Sequence, residues 1–299
     1  MPDAAAPGRP LSSASRLQLV CRIPKQTLIR TYKNNLDIYG ISYNSARDEL
    51  FLADNANKVV RAIRVRDNAG DLRDVYRSPL VYSVCHMSDS DTLLVCSGEE
   101  EPERNWANWL VALRRYNSEW REWREAQRVK TDREGQISCA INDSRVLIGE
   151  SNSTYMELFR VESGQRIARV YRIHVPEKYY WFSATCGSDT LVAMSYPYPD
   201  QSVRVHRLRG DRLEKLPSIQ LKQPAFLLWL ADRLFVADFD KGKKSDAVIE
   251  FLVRDTRLEC RRELIATSEN IEVKRFGAVN DRLAIFDEHS SDILHYSLN

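Results

Sequence analysis

No stretch of this 299-residue chain approaches the roughly 18 consecutive apolar residues of a membrane-spanning helix. The opening segment MPDAAAPGRPLSSASR holds no apolar core of the kind a secretory signal needs, and residues 1–15 read as a flexible tail rich in Ala, Pro and Ser. Six cysteines (Cys21, Cys85, Cys96, Cys139, Cys186, Cys260) are scattered, and none forms a CxxC pair. Most stand in strand-like runs, where a free thiol behaves as a small hydrophobe. This usage suits a reducing compartment, and a cytoplasmic location is expected. An excess of one charge is also missing: 44 basic residues face 42 acidic ones, a net +2, so the total charge draws the chain neither to nucleic acid nor to a membrane. Lysine is scarce, and the many arginines alternate with apolar residues, as in RIARVYRI, the pattern of solvated strand faces. There is no GxSxG elbow, no HExxH, no P-loop and no GxGxxG, and the five histidines lie far apart in sequence. No cofactor and no metal is expected.

What is present is a repeat. The runs RDELFLAD, SDTLLVCS, DSRVLIGE, SDTLVAMS, ADRLFVAD and NDRLAIFD place an aliphatic anchor at Leu50, Leu93, Val146, Leu191, Leu234 and Leu283. The anchors are 43, 53, 45, 43 and 49 residues apart, a period of radial or stacked repeats. A short apolar run precedes each anchor, an alternating segment follows, and a more polar segment comes after all but the last. The period of two and the β-branched and aromatic content read as strands a, b, c and d. Four antiparallel strands per unit match a propeller blade. The expected fold is all-β: a six-bladed β-propeller with blades over 36–78, 79–130, 135–174, 178–220, 223–266 and 271–299, within one domain over 16–299. The last unit has room for strand c but not d. Residues 17–30 resemble a d strand with its exit, since LIRTYKNNLDIYG parallels LIATSENIEVKRFG, so this N-terminal strand is expected to complete the last blade and close the ring. Pro24 is tolerable there because d is an edge strand.

The segment YGISYNSARDELFLADNANKVV resembles an NHL repeat through Gly40, Ile41, Leu50, Leu52, Ala53, Asp54, Asn57 and Val59. More broadly the chain is similar to six-bladed propellers of the NHL, SMP-30 and TolB-like kind. The resemblance implies an architecture, with three functions to weigh: an interaction scaffold, a divalent-metal-dependent hydrolase or lactonase, or an RNA-binding module.

In a propeller the b–c and d–a loops share one face. That face is expected to gather Asp54, Glu99, Glu100, Glu101, Glu150, Asp238, Asp240, Asp287 and Glu288, an acidic rim suited to a basic peptide or a cation. The alternative for each strand-ending Asp is a turn role, bonding nearby backbone amides. The long second unit holds Trp106, Trp109, Trp120 and Trp123; Trp106, read as a loop residue, is the candidate contact. Tyr196 and Tyr198 in YPYP, with the YYW at 179–181, add aromatic rim candidates. The a strands contain no Asp or Glu, which weighs against a tunnel-bound cation, although Asp37, Glu177 and Glu272 stand in d–a loops. For RNA, Arg104, Lys241, Lys243 and Lys244 are outnumbered by acids in the same loops. The expectation is a non-enzymatic scaffold that binds a protein or peptide, possibly basic, at this rim, without nucleic acid or membrane.

Overall fold

The computed structural model describes residues 15–28, 35–65, 72–102, 106–117, 122–132, 134–135, 137–142, 144–150, 153–162, 166–175, 183–187, 190–197, 200–239, 247–254, 257–266, 271–280 and 282–298. Residues 1–14 of the expected tail lie outside them, and Ser15 already belongs to a strand. The described residues begin with β1 (Ser15–Ile23) and one helical turn, α1 (Lys25–Leu28). Unit 1 follows as β2 (Ile38–Asn44), β3 (Glu49–Asp54), β4 (Val59–Arg64) and β5 (Arg73–Arg77); unit 2 is β6 (Leu80–Met87), β7 (Thr92–Glu100), β8 (Trp106–Asn117) and β9 (Glu122–Thr131). Unit 3 is β10 (Ile137–Asn142), β11 (Arg145–Gly149), β12 (Tyr155–Val161) and β13 (Ile167–His174); unit 4 is β14 (Ser183–Cys186), β15 (Leu191–Tyr196), β16 (Ser202–Arg209) and β17 (Arg212–Gln220). Unit 5 is β18 (Pro224–Leu230), β19 (Arg233–Asp238), β20 (Ala247–Arg254) and β21 (Arg257–Ala266); unit 6 is β22 (Val273–Val279), β23 (Arg282–Asp287) and β24 (Ile293–Ser297).

Units 1 and 2 are separate four-stranded sheets. The other strands form two eight-stranded sheets, ordered β10-β11-β12-β13-β17-β16-β15-β14 and β18-β19-β20-β21-β1-β24-β23-β22. Within each unit the pairing is antiparallel. The joins are short parallel contacts between outer strands: His174 opposite Arg212, and Ser15–Leu17 opposite Leu264–Ala266. Six discrete sheets were expected; instead the outermost strands of neighbouring units meet edge to edge. An outer strand carries unpaired N–H and C=O groups, and a second edge brought close satisfies some of them.

β1 pairs antiparallel with β24, Gln18 opposite Ser297 through Ile23 opposite Ile293. The strand is shorter than expected. It stops before Pro24, which has no N–H to continue a ladder, and Thr27 N–H donates to Pro24 O across the helical turn that follows (2.9 Å). Pro24 is therefore a strand terminator rather than an edge-strand residue. Ile23 and Leu28, on either side of it, are buried.

The turns before five of the six anchors share one backbone conformation. Asp48, Asp91, Thr190, Ala231 and Asn280 have φ of 57°, 42°, 65°, 54° and 55°, the left-handed conformation that a tight a–b hairpin requires. The anchors that follow are all buried, Leu191 at 8% exposure being the least so. The core is divided between units: alternate faces of the strands meet the preceding and the following unit. Phe51, Ala53 and Val60 of unit 1 pack with Val84, Leu93 and Val111 of unit 2, whereas Leu94, Cys96 and Leu110 pack with Val146, Ile148 and Phe159 of unit 3. The same holds for units 3 and 4, 4 and 5, and 5 and 6. Unit 6 packs against unit 1 through Ala284, Phe286 and Ile293 with Ile38, Leu50 and Leu52, joined by Ile23 and Leu28. First strands follow the same cycle: β2 packs on β6, β6 on β10, β10 on β14, β14 on β18, β18 on β22, and β22 on β2. Gly40 permits the closest approach, since a Cβ there would lie 2.9 Å from the backbone N of Val84. The arrangement is an all-β propeller. Among the described residues no helix is long and apolar enough to cross a membrane.

Candidate binding site at the β7–β8 hairpin tip

Of the twelve candidate rim residues, the structure brings Glu99, Glu100, Glu101 and Trp106 together. The first two are not loop residues. β7 runs on to Glu100, placing Glu99 opposite Ala107 and Glu100 opposite Trp106, the first residue of β8. This ladder extends past the core because the β7–β8 hairpin is longer than its counterparts. Pleat parity puts Glu100 and Trp106 on the face that carries Cys96 and Leu110 further down, the face turned to unit 3. Beyond the core Trp106 is 53% exposed.

The other carboxylates of the tip are neutralised by β9. Arg128 bonds Glu99 (3.0 Å) and Glu125 (2.6 Å), and Lys130 bonds Glu101 (2.9 Å). Its hydrogen bonds to Glu125 and the charges of Glu125 and Glu99 hold the Arg128 guanidinium well above its ordinary pKa. It also lies over the Trp109 ring, 5.5 Å from its centroid, so Trp109 packs while Trp106 does not. Glu100 is exposed beside Trp106. An indole face next to a carboxylate can receive an ammonium or guanidinium group by cation–π attraction and ion pairing together.

The strand-ending aspartates are placed otherwise. Asp54 is fully buried and accepts from Asn57 N–H (3.2 Å), Asn57 Nδ2 (2.7 Å), Arg61 Nη1 (2.9 Å) and, at 3.4 Å, Asp37 N–H. Burial raises its pKa, against the Asn57 hydrogen bond and the Arg61 charge. Asp238 accepts from Gln223 N–H (2.6 Å), and Asp287 from Glu272 N–H (2.9 Å) and the Ser290 hydroxyl (2.6 Å). In all three the carboxylate bonds the residue just before strand a of its own unit. A backbone bond returns from the residue after the Asp: Asn55 to Asp37, Phe239 to Gln223, Glu288 to Glu272. The repeated Asp locks strand b to the entry of strand a, which accounts for its recurrence at one place in three units.

Tyr196 offers no rim surface: it is fully buried in the core between units 3 and 4, and Arg204 lies over its ring at 4.7 Å. Burial raises its hydroxyl pKa well above the ordinary range. Glu150 is half-buried. Glu288 is exposed and bonded to Lys274 (2.7 Å), which also reaches Asp37 (3.0 Å). Burial lowers the Lys274 pKa, but its bonds to Glu288 and Asp37 outweigh this and raise it overall. Arg275 beside it donates to Tyr39 O (2.8 Å) and lies over Phe226; burial brings its pKa down to about 10. Tyr198, Asp240, Trp120, Glu177, Arg104, Lys241, Lys243, Lys244 and the YYW at 179–181 lie outside the described residues.

Spacing gave no sign of one polar network. Between units 1 and 2, buried Glu49 pairs with Arg73 and Arg115, and Arg115 also reaches Asp91 (3.3 Å) and lies over Trp123 (4.5 Å). His86 Nε2 stands 3.1 Å from Asp91, and Phe51 stacks on the imidazole. The His86 hydrogen bond, with Arg115 and Arg47, holds the Asp91 carboxyl down to about 2 despite partial burial. Its members come from two repeats, so only the folded ring assembles them.

No family model matches the chain, and no curated protein matches it. Solved structures do. A protein of unknown function from Bacteroides thetaiotaomicron superposes with a TM-score of 0.65 at 10% identity, over 93% of this chain and 75% of that one. Virginiamycin B lyase from Staphylococcus aureus gives 0.54 at 12% identity, over 95% and 99%. The Cps50 (Swd1) β-propeller domain of Myceliophteria thermophila gives 0.57 at 11%, over 88% and 83%. At these identities the likeness extends to the propeller fold and no further.

Proposed function

We propose that this chain is a closed six-bladed propeller of the NHL-like kind, with β1 as the outermost strand of the last blade, and that it serves as a non-enzymatic scaffold. Its partner is a protein or peptide with a basic side chain, held at the β7–β8 tip of blade 2. The observation that carries this reading is the Glu100–Trp106 pair, a half-exposed indole opposite an exposed carboxylate on a hairpin that outruns its own core. Aromatic anchors beside charge are the residues on which binding energy concentrates. The flanking Glu99–Arg128 and Glu101–Lys130 pairs form a polar border around it. The cyclic packing of the first strands and the β1–β24 ladder support the blade count and the closure.

The test is a peptide array of Lys- and Arg-containing sequences probed with purified protein. Trp106→Ala should weaken the selected peptides by about tenfold or more, the loss expected at an interface hot spot. Glu100→Lys should abolish the preference for basic side chains. Tyr116→Ala removes another exposed aromatic, at the opposite end of β8, and should leave binding unchanged. Equal binding by wild type and the first two variants contradicts the reading.

A further inference from the structure

Cys139 and Cys186 lie on β10 and β14, the innermost strands of neighbouring units, which pack side by side. The Cys186 thiol donates toward Cys139 O at 3.8 Å. Both are unoxidised, both are partly exposed, and both pack on the core shared by units 3 and 4. Cys85, on β6, is the next thiol along the ring and is more deeply buried. Because β10 and β14 border the axis of the propeller, a small uncharged oxidant entering along that axis meets Cys139 and Cys186 together.

We propose that Cys139 and Cys186 form a reversible oxidative modification site, a disulfide that staples the inner strands of units 3 and 4. With a hydroperoxide as oxidant, one thiolate attacks the peroxide, the O–O bond breaks and water or alcohol leaves, giving a sulfenic acid. The second thiol attacks that sulfur, the S–S bond forms and water leaves. Two thiols thereby lose two electrons and two protons, and the peroxide is reduced by two electrons. A dithiol such as dithiothreitol reverses the change by thiol–disulfide exchange. Burial raises the Cys186 thiol well above its ordinary pKa and that of Cys85 up to about 12. Reaction therefore requires mildly alkaline conditions or sustained oxidant, and it favours the partly exposed pair.

The experiment treats the full folded chain with hydrogen peroxide and maps its peptides without reduction. The expected product is one peptide pair linked through Cys139 and Cys186. Of the six cysteines, four should remain as thiols under denaturing conditions, with full recovery after dithiothreitol. Cys139→Ser and Cys186→Ser should each abolish the link, while Cys21→Ser, on β1, should leave it intact. The wild-type map decides the matter even where a Ser variant folds poorly. A link joining any other pair, or oxidation to sulfinic acid with no link, overturns the proposal.

Discussion

His206 on β16 and His295 on β24 are fully buried, and among the described residues neither ring nitrogen of either has a hydrogen-bond partner. For His206, burial and the charges of Arg204 and Lys215 bring the pKa down to about 4. For His295, burial and Arg282 bring it down to about 4, with Asp48 opposing. Both rings are neutral in the folded ring at neutral pH. In the unfolded chain they titrate near 6.5. Between about 6.5 and about 4 the unfolded chain therefore binds protons that the folded one does not, and stability falls as the pH falls through that window. Each shift of about 2.5 pH units corresponds to roughly 3 kcal/mol, so the two together remove about 6 kcal/mol by pH ~4. A domain of ordinary stability has about 5–15 kcal/mol in total, so acid alone brings this one close to unfolding. The assay is urea denaturation at a series of pH values. Wild type should lose stability steeply between pH ~6.5 and ~4, and a His206→Leu, His295→Leu double variant should lose much less. A double variant with the same slope as wild type refutes the reasoning.

Glu49→Ala removes the buried carboxylate that Arg73 and Arg115 share, leaving Arg115 with Asp91 alone, and should cost about 3–5 kcal/mol in a denaturant melt. Replacing Glu49, Arg73 and Arg115 together by apolar residues of similar volume should cost far less, because no uncompensated charge remains. Gly40→Ala sets a methyl group against the Val84 backbone and should lower stability by about 1–3 kcal/mol, read as a lower melting temperature. Asp91, held down to about 2, stabilises the fold above its unfolded pKa near 4 and should lose that contribution between about pH 4 and 2. Asp91→Asn removes this acid limb while leaving the histidine window in place.

The repeat was legible because strands buried on both faces leave short continuous apolar runs, and Leu50, Leu93, Val146, Leu191, Leu234 and Leu283 are all core residues. So was the partnership of the N-terminal strand with the last one, from the missing d strand. The merging of outer strands was not legible. It depends on how near β13 comes to β17 and β21 to β1, a property of the assembled ring. Composition also misdirected part of the rim. Asp at the end of strand b reads as a turn acceptor or as a ligand, and the N–H groups of Asp37, Gln223 and Glu272 favour the turn role. Tyr196 looked like a loop aromatic because Pro197 follows it, yet β15 carries it wholly into the core. Trp106 reads as an exposed loop residue; it is exposed, but it opens β8, since the β7–β8 ladder is longer than the neighbouring hairpins suggest.

The proposed closure of the ring by β1 is tested most directly by truncation. β1 contributes Ile23 to the cluster between units 6 and 1, and α1 contributes Leu28, whose carbonyl accepts from Arg61 Nη1 at 2.7 Å. Removing two such buried side chains costs about 4–10 kcal/mol from burial and cavity terms, comparable to the whole stability of a domain. Calorimetry on chains lacking residues 2–14 and residues 2–28 should show one cooperative transition near that of the full chain for the first, and no cooperative transition for the second. Two truncations that melt alike, at the temperature of the full chain, contradict closure by β1.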